Sequence, residues 1–315
     1  MDNLNVAYAP HIHDKITTTK IMLDVIIALC PALVFSVVFF GPRAAFVTGV
    51  CVCTCVLSEW IFEKIIKKKN TVNDLSAVVT GMLLAFNLPV TIPVWQAVFG
   101  SFVAVILVKQ LFGGIGKNFA NPAITARIVM FLAFPLTMTT WAAPVRGLHW
   151  AGVDTVTGAT PLVYLSRGEI DSLPGIWNLF IGAHGGCLGE TSELALLAGG
   201  IYLMIRRVIS WHVPVTFIAV VFVLTALTGS HPVYQIFSGG LFLGAFFMAT
   251  DYATTPITKK GRAVFGLGAG LLTFVMRIYG NYPEGVSFAI LLMNMIVPYI
   301  NKISLTKPLG GVKQA

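Results

Sequence analysis

A stretch rich in hydroxyl side chains lies between two long apolar regions of the chain. It reads Asp154-Thr155-Val156-Thr157-Gly158-Ala159-Thr160-Pro161-Leu162. A threonine hydroxyl can attack phosphorus, and small residues beside it leave room for a bulky donor to approach the backbone. Thr-Gly and Thr-Pro are also ordinary loop dipeptides, so a plain surface turn is the alternative. The stretch is therefore a candidate site for covalent modification of a hydroxyl.

A glycine-rich run follows the fourth apolar segment and reads Gly113-Gly114-Ile115-Gly116-Lys117-Asn118. Its glycines can form a nest of backbone N–H groups before a helix, which suits anions and carbonyl oxygens. It is not a phosphate-binding P-loop, because no Ser or Thr follows Lys117 and no strand precedes the run. A tight turn between helices explains the same residues, and in membrane proteins with broken helices the two roles coincide.

A second polar run lies before the last apolar segment and contains Tyr282 and Glu284. Together with Tyr279 and Phe288, Tyr282 offers aromatic rings for stacking, and Glu284 offers an acceptor. Tyrosines at this position are also ordinary anchors at a membrane surface.

Ionisable residues in or near the apolar segments are candidates for function, because charges are costly in a membrane. They are Asp24, Glu59, Lys109, Arg127, Asp251 and Arg277. For Glu59, Lys109 and Arg127 we predict structural pairing near the inner surface. The cysteines at 51, 53 and 55 are interpreted as small apolar residues, and His11 and His13 as a solvated tail; we predict no metal site.

The composition identifies a polytopic membrane protein. Of 315 residues, 56% are apolar and only 11% are charged, with a mean hydropathy of +0.83. Soluble domains carry roughly 25% charged residues. The composition excludes a secreted, disulfide-stapled or nucleic-acid-binding module.

Apolar runs bounded by charges, glycine or proline predict an all-α fold with ten spans. The spans are 21–40, 42–62, 74–88, 92–112, 122–142, 193–209, 212–230, 235–250, 262–279 and 285–302. With a cytoplasmic N-terminus, the outside holds only Arg43, Arg146, Arg167 and Arg277 of the 21 Lys and Arg residues, so the other seventeen lie inside. This bias predicts that both termini are cytoplasmic and that residues 143–192 lie outside.

The two groups of five spans resemble each other. Ala97-Val98-Phe99-Gly100 recurs as Ala263-Val264-Phe265-Gly266, an offset of 166 residues that also places Gly114 over Gly280. Because each group has an odd number of spans, the second must be inverted. The expected segments are 1–20 and 303–315 in the cytoplasm, repeats at 21–142 and 193–302, and an extracytoplasmic segment at 143–192. Two short spans, 74–88 and 235–250, point to a binding site between the repeats. The alternative is that they only fill space between tilted neighbouring helices.

Several of these stretches resemble a known family. Asp-x-x-Ser/Thr-Gly-Ala-Thr is similar to the acceptor motif at which a flavin transferase links FMN to the last threonine through a phosphoester. Further stretches look like signatures of the RnfD and NqrB membrane subunits. They are the glycine run continued to Ala123, Gly-Glu-Thr-Ser at 189–192, Ala-Thr-Asp-Tyr-Ala-Thr-Thr-Pro at 249–256, and residues 282–289. NqrB-like chains usually carry a longer N-terminal extension, so RnfD is the closer match.

The resemblance implies a subunit of an ion-translocating ferredoxin:NAD⁺ oxidoreductase complex in the inner membrane of a prokaryote, not catalytic alone. It implies electron relay through FMN on Thr160 and a second, non-covalent flavin, riboflavin, coupled to Na⁺ or H⁺ transport. Asp154, Thr157, Gly158 and Ala159 belong to the acceptor motif. Contacts to a flavin are expected from Gly113, Gly114, Asn118, Tyr282 and Glu284.

The partners implied are other subunits of an Rnf-type complex, including an extracytoplasmic FMN subunit and a cytoplasmic NAD-linked subunit, and a flavin transferase. No nucleic acid is expected as a partner. Two alternatives are an inverted-repeat transporter or channel without a redox cofactor, and a structural anchor that bears no cofactor.

Overall fold

The computed structural model describes residues 16–67, 71–142, 144, 160–190, 192–280, 282 and 284–305. These residues form helices and contain no β-strand. The expected all-α fold class is confirmed for this part of the chain.

The helices of the first half cover the predicted spans. They are α1 (Thr18–Phe40), α2 (Pro42–Ile66), α3 (Ser76–Phe86), α4 (Val94–Gln110), α5 (Pro122–Ala133) and α6 (Pro135–Met138), with a short 3₁₀ turn at Val72–Asp74. The second part of α4, Val103–Gln110, is a π-helix.

The second half begins with short helices and ends with long ones. They are α7 (Pro161–Arg167), α8 (Ile176–Ile181), α9 (Glu193–Ile205), α10 (His212–Leu227), α11 (Pro232–Ile236), α12 (Leu241–Leu243), α13 (Lys259–Ile278) and α14 (Val286–Ser304). A 3₁₀ turn covers Ile170–Ser172, and α12 continues as a π-helical segment, Gly244–Met248.

Local sequence signals explain where several helices begin. The side chains of Thr17, Asn121, Ser192 and Thr258 accept hydrogen bonds from N–H groups in the first turns of α1, α5, α9 and α13. Such caps satisfy donors that have no partner within the helix. Proline occupies the first position of α2, α5, α6, α7 and α11, where its missing N–H is not needed.

Four described helices are long and apolar enough to cross a membrane: α1, α2, α13 and α14. Five more, α3, α4, α5, α9 and α10, are apolar but shorter. Large apolar side chains cover the outside, with Leu136 83% and Leu227 78% exposed. A soluble surface rarely exposes contiguous apolar area of this kind, whereas lipid solvates it. The chain is a multi-pass membrane protein.

Hydrogen bonds between helix ends show that successive long segments alternate in direction. Arg43, at the start of α2, donates to the carbonyl of Val90 (2.9 Å) before α4. Lys109, near the end of α4, donates to Glu59 of α2 (2.8 Å) and to Ser76 at the start of α3 (2.6 Å). We call the end of the molecule that contains Lys109 the inner end, and the end that contains Thr160 the outer end.

The two halves meet through α1 against α9 and through α5 against α14. The α1 and α9 backbones approach closely, because a methyl group on Gly199 would lie 2.2 Å from the carbonyl oxygen of Ala28. Asn121 of α5 donates to the carbonyl of Met248 (3.2 Å), which joins the halves near the inner end.

Two of the short segments are buried on almost every side. Ten of the eleven residues of α3 are buried, and so is every residue of α12 and its continuation. They form the centre of the core, around which the longer helices face lipid. This arrangement matches the prediction that the third and eighth spans are short; the ten-span count and the inverted repeat remain predictions.

Two predicted spans are interrupted. Segment 122–142 breaks at Phe134, which leaves helical geometry (φ −132°, ψ 58°) because the following Pro135 disfavours it. Segment 235–250 is broken between the end of α11 at Ile236 and Leu241, because Gly239 (φ 70°) and Gly240 (φ 62°) are left-handed.

Candidate functional site

Thr160 lies immediately before α7, at the N-cap position. Its carbonyl accepts the first hydrogen bond of the helix, from the N–H of Val163 (2.9 Å). An N-cap threonine normally also uses its side chain to cap the first turn. Here Oγ1 is buried and has no hydrogen-bond partner among the described residues. Thr160 therefore does not use its side chain to cap α7.

The other residues of the acceptor motif, Asp154, Thr157, Gly158 and Ala159, lie outside the described residues. Their part in modification stays a prediction.

The helix that follows Thr160 docks on a two-glycine turn. A methyl group on Gly239 would lie 2.0 Å from Cδ1 of Leu162, so α7 packs directly on this backbone. A methyl group on Gly240 would lie 2.5 Å from Oε1 of Glu190. Only glycine accommodates both the left-handed conformation and these close contacts.

The side chain of Arg277 in α13 stabilises the same turn through hydrogen bonds. Its guanidinium donates to the carbonyls of Gln235 (2.5 Å), Ser238 (2.9 Å) and Gly239 (2.9 Å). These bonds satisfy carbonyls that have no helical partner before α12. The Thr160 helix is therefore positioned by a buried cation that acts through the backbone.

A second buried guanidinium lies at the centre of the outer end. Arg127 of α5 donates to Glu284 (2.6 Å) and to Ser287 (2.6 Å), and its Nη2 is 3.6 Å from Oε1 of Glu190. Glu284 and Ser287 belong to the second half, so this cluster also joins the halves. Charged hydrogen bonds of this kind are among the strongest in proteins.

The sequence predicts a structural pair for Arg127 near the inner surface, and its depth in the membrane stays a prediction. Arg127 does make the predicted pair, but with Glu284 and Glu190 from the predicted outer segments. The twelve residues of α5 do not reach across a membrane.

Burial sets the protonation of groups in the outer segment. It lowers the pKa of His184 below 6.5, although the Gly185 carbonyl and Glu190 oppose the change. Burial also raises the pKa of the Cys187 thiol well above 9.0, followed by the effect of Glu190. Burial raises the pKa of the Glu284 carboxyl because Arg127 offsets only part of the lost hydration.

A cavity of about 370 Å³ opens at the inner end between the two halves. Its lining includes Leu83 of α3, Lys109 of α4, Asn118, Phe246, Phe247 and Asp251. Pockets for drug-sized ligands are about 300–1,000 Å³, mostly apolar, with a few placed polar groups. The cavity has this character and lies beside both short core segments.

Several polar groups line the cavity. Asp251 accepts from Thr254 (3.2 Å), and burial raises the pKa of its carboxyl, partly opposed by Thr254 and Asn118. Lys109 Nζ is fixed by Glu59 and Ser76. The cavity therefore offers both a cation and an acceptor to a polar ring system.

Some residues of the glycine-rich run form a turn, and others line the cavity. The N–H groups of Gly113 and Gly114 donate to the carbonyls of Gln110 (3.0 Å) and Lys109 (3.0 Å), closing the end of α4. Gly116 and Asn118 line the cavity. At the outer end Tyr282 is 53% exposed, and its ring lies 6.1 Å from that of Phe288.

The structure brings together residues to which the sequence assigned no role. Glu190 and Glu193 lie in or beside the Gly-Glu-Thr-Ser stretch, and both are buried with Arg277 and Arg127 nearby. The available signal was the rarity of charge in this chain, since a charged residue next to an apolar run is a functional candidate.

Comparison with known proteins places the chain in a family. The model of the NQR2, RnfD, RnfE family matches residues 5–310. The chain belongs to this family. One relative is the D-type subunit of the Na(+)-translocating ferredoxin:NAD(+) oxidoreductase complex of Acetobacterium woodii. The two chains are 46% identical over 313 residues, which cover 99% of this chain and 96% of the relative.

Two further members of the family show how wide the similarity is. The D-type subunit of the proton-translocating ferredoxin:NAD(+) oxidoreductase complex of Clostridium ljungdahlii is 40% identical, covering 95% of this chain and 94% of the relative. The D-type subunit of the ion-translocating oxidoreductase complex of Stutzerimonas stutzeri is 38% identical, covering 92% of each. The expected family is confirmed.

Proposed function

We propose that this chain is the D-type membrane subunit of an ion-translocating ferredoxin:NAD⁺ oxidoreductase complex and relays electrons through FMN esterified to Thr160. The observation that carries the FMN proposal is the Thr160 hydroxyl, which is the last threonine of the acceptor motif and is buried without a partner among the described residues. The full-length similarity to D-type subunits of such complexes supports the assignment to a complex.

The residues around Thr160 fit a covalently held flavin. Bound FMN supplies a carrier that accepts two electrons and can release them singly. Thr160 would tether its phosphate, and the packing of Leu162 on Gly239 would fix the tether. Arg277, bound to the carbonyls of the same turn, would keep this support rigid.

We extend the proposal to a second, non-covalent flavin such as riboflavin in the inner cavity. Phe246 and Phe247 would contact the ring, Lys109 would donate to it, and Asn118 would bind its polar edge. The volume of about 370 Å³ and the mostly apolar lining support this assignment.

The proposal includes the arrangement in the membrane. Ten spans in a five-plus-five inverted repeat would place Thr160 outside and the cavity towards the cytoplasm, with both termini inside. Partners would be an extracytoplasmic FMN subunit, a cytoplasmic NAD-linked subunit and a flavin transferase. Relatives are named for Na⁺ and for protons, so similarity alone does not select the coupled ion.

The test of covalent attachment uses the full chain, produced together with a flavin transferase and then denatured to remove non-covalent flavin. Intact mass and in-gel fluorescence should show one FMN adduct in the wild type. The adduct should be absent from Thr160→Val and present in Thr157→Val, which removes a hydroxyl from the same motif.

An adduct that persists in Thr160→Val would contradict the assignment. If the transferase labels a control substrate but not this chain, the motif is a plain loop and a transporter without redox cofactor becomes the better interpretation.

The cavity is tested separately in Thr160→Val, where any flavin is non-covalent. Leu83→Trp would fill the cavity and should reduce co-purified flavin severalfold, whereas Leu107→Trp, at a position 45% exposed on α4, should not. Equal flavin in both variants, with both still folded by thermal unfolding, would place the second flavin elsewhere.

A further inference from the structure

Glu193, the first residue of α9, is the most isolated carboxyl in the described part of the chain. It is 0% exposed, and neither Oε1 nor Oε2 has a hydrogen-bond partner among the described residues. A buried carboxylate is normally paired with a cation or accepts several hydrogen bonds. Glu193 has neither form of compensation here.

The nearest cation is committed to other groups. Arg277 interacts electrostatically with Glu193, but its Nη1 and Nη2 donate to the backbone carbonyls of Gln235, Ser238 and Gly239. Its remaining Nε has no hydrogen-bond partner within the described residues and so does not donate to Glu193. The closest anion is Glu190, whose charge would repel a charge on Glu193.

The charges of the whole cluster leave one carboxyl in excess. Arg127 and Arg277 supply two cations, and the carboxyls are those of Glu190, Glu193 and Glu284. His184 also faces Glu190, and its burial keeps it neutral. With all three carboxyls ionised, the cluster would hold an uncompensated negative charge in a region of low dielectric.

The contacts of Glu190, Glu193 and Glu284 indicate which of these three carboxyls is neutral. Glu284 accepts a charged hydrogen bond from Arg127 at 2.6 Å, and its side chain keeps 17% exposure. Glu190 lies 3.6 Å from the same guanidinium. Glu193 is fully buried and forms no ion pair within the described residues, so ionisation costs the most there.

Glu193 lies at the start of α9, but this position does not change which of the three carboxyls is hardest to ionise. A helix N-terminus favours an anion, but that effect is smaller than the loss of hydration on full burial. The first-turn N–H of Ala195 is already taken by Ser192 Oγ (3.3 Å), and no N–H of α9 reaches the Glu193 carboxyl.

We propose that Glu193 is a proton-binding site within the membrane and is a neutral carboxylic acid at neutral pH. The proton makes the five-residue cluster electrically neutral. Arg277, the nearest cation, also donates to the carbonyl of Gly239, and Leu162 of the helix after Thr160 packs on this glycine. This proposal does not depend on a flavin at Thr160.

The test is carboxyl ¹³C NMR of the full chain in lipid bilayers with selectively labelled glutamate. The chain contains only six glutamates, at 59, 63, 169, 190, 193 and 284. At pH 7 one signal should have the shift of a protonated acid, and Glu193→Gln should remove it. Glu284→Gln and Glu169→Gln, the latter at an exposed position, should leave it in place.

Glu193→Gln also serves as a folding control, because glutamine has nearly the shape of the protonated acid and should preserve the unfolding temperature. Should this variant fail to fold, loss of the protonated signal in Glu284→Gln overturns the assignment, and its retention supports it. Six ionised signals at pH 7, or a protonated signal that survives Glu193→Gln, would overturn the proposal. A Glu193 signal that shifts on adding Na⁺ at constant pH would assign a metal cation instead of a proton.

Discussion

At the scale of single residues, buried charge is the most informative feature of this chain. Lys109 and Glu59 are 3% and 0% exposed and form an ion pair of 2.8 Å, as structural pairing predicts. Glu59 Oε1 also accepts from Gln110 (2.6 Å). Such a pair adds little net stability, but loss of one partner leaves the other uncompensated.

We therefore expect Lys109→Met to lower the free energy of unfolding by about 3–5 kcal/mol. The double variant Lys109→Met/Glu59→Leu should recover most of this loss, as judged by thermal unfolding in detergent. The matched control is Arg206→Met, because Arg206 pairs with Asp24 but its own side chain is 56% exposed. That change should cost about 1 kcal/mol or less. Equal effects of the two single changes would contradict the burial of Lys109.

His184 predicts a pH dependence. Its pKa is lowered by burial in the folded protein and is 6.5 when unperturbed, so below pH 6.5 the unfolded chain binds a proton that the folded chain does not. The contribution to stability is complete above pH 6.5 and is lost as the pH falls towards the folded pKa. His184→Gln should flatten this part of the stability profile, measured by unfolding between pH 7.5 and 5, a window set by about one unit either side of the transition. The control, His231→Gln at an exposed position, should leave the profile unchanged. If the slope of stability against pH is the same in His184→Gln as in the wild type, His184 is not the group responsible.

At the scale of elements, the outer end is organised by the turn between α11 and α12. Two left-handed glycines carry the contact with α7 on one side and with Glu190 on the other. The sequence showed Gly-Gly within an expected span, but not that this turn would be the support of another helix. That role depends on Leu162, which is distant in sequence.

Gly239→Ala should therefore lower the free energy of unfolding by more than the backbone strain of an alanine in this conformation. We expect a loss of about 2–4 kcal/mol, from about 1 kcal/mol of left-handed strain and about 1–3 kcal/mol of overpacking against Leu162. The control is Gly229→Ala, which has the same conformation (φ 69°) but no atom within 4 Å of the added methyl group, and it should show only the strain. Thermal unfolding compares the two. Equal losses would mean that α7 does not dock on this turn.

At the scale of the whole molecule, the alternation of segments brings Thr160 and the cavity to opposite ends. Hydrogen bonds across the halves, from Asn121 to Met248 and from Arg127 to Ser287, connect the two ends through the core. The short segments α3 and α12 make this possible, because a buried helix that spans only part of the thickness leaves space for a cavity at its end.

The proposed topology predicts which surface each loop reaches. In a variant with Cys30 and Cys53, the exposed cysteines, replaced by alanine, Glu169→Cys should react with a membrane-impermeant thiol reagent on intact cells. Lys260→Cys should react only after permeabilisation. Labelling of both positions from outside would contradict the odd number of spans, three, that is predicted between them.

Polarity along the chain was sufficient to assign the class of the molecule, because it decides where lipid can replace water. Apolar runs located α1, α2, α13 and α14, and the motif around Thr160 was readable because its residues are contiguous. Helix breaks were less readable. Pro135 was visible, but its effect on Phe134 depends on local backbone geometry, and Gly239 and Gly240 could have continued a helix.

In contrast, only the folded chain shows that charged residues far apart in the sequence lie together. Arg127, Glu190 and Glu284 are separated by more than sixty residues at each step, and no periodicity links them. Their pairing is a property of the tertiary packing. The isolation of Glu193 was equally invisible in the sequence, because the absence of a partner depends on every neighbouring element.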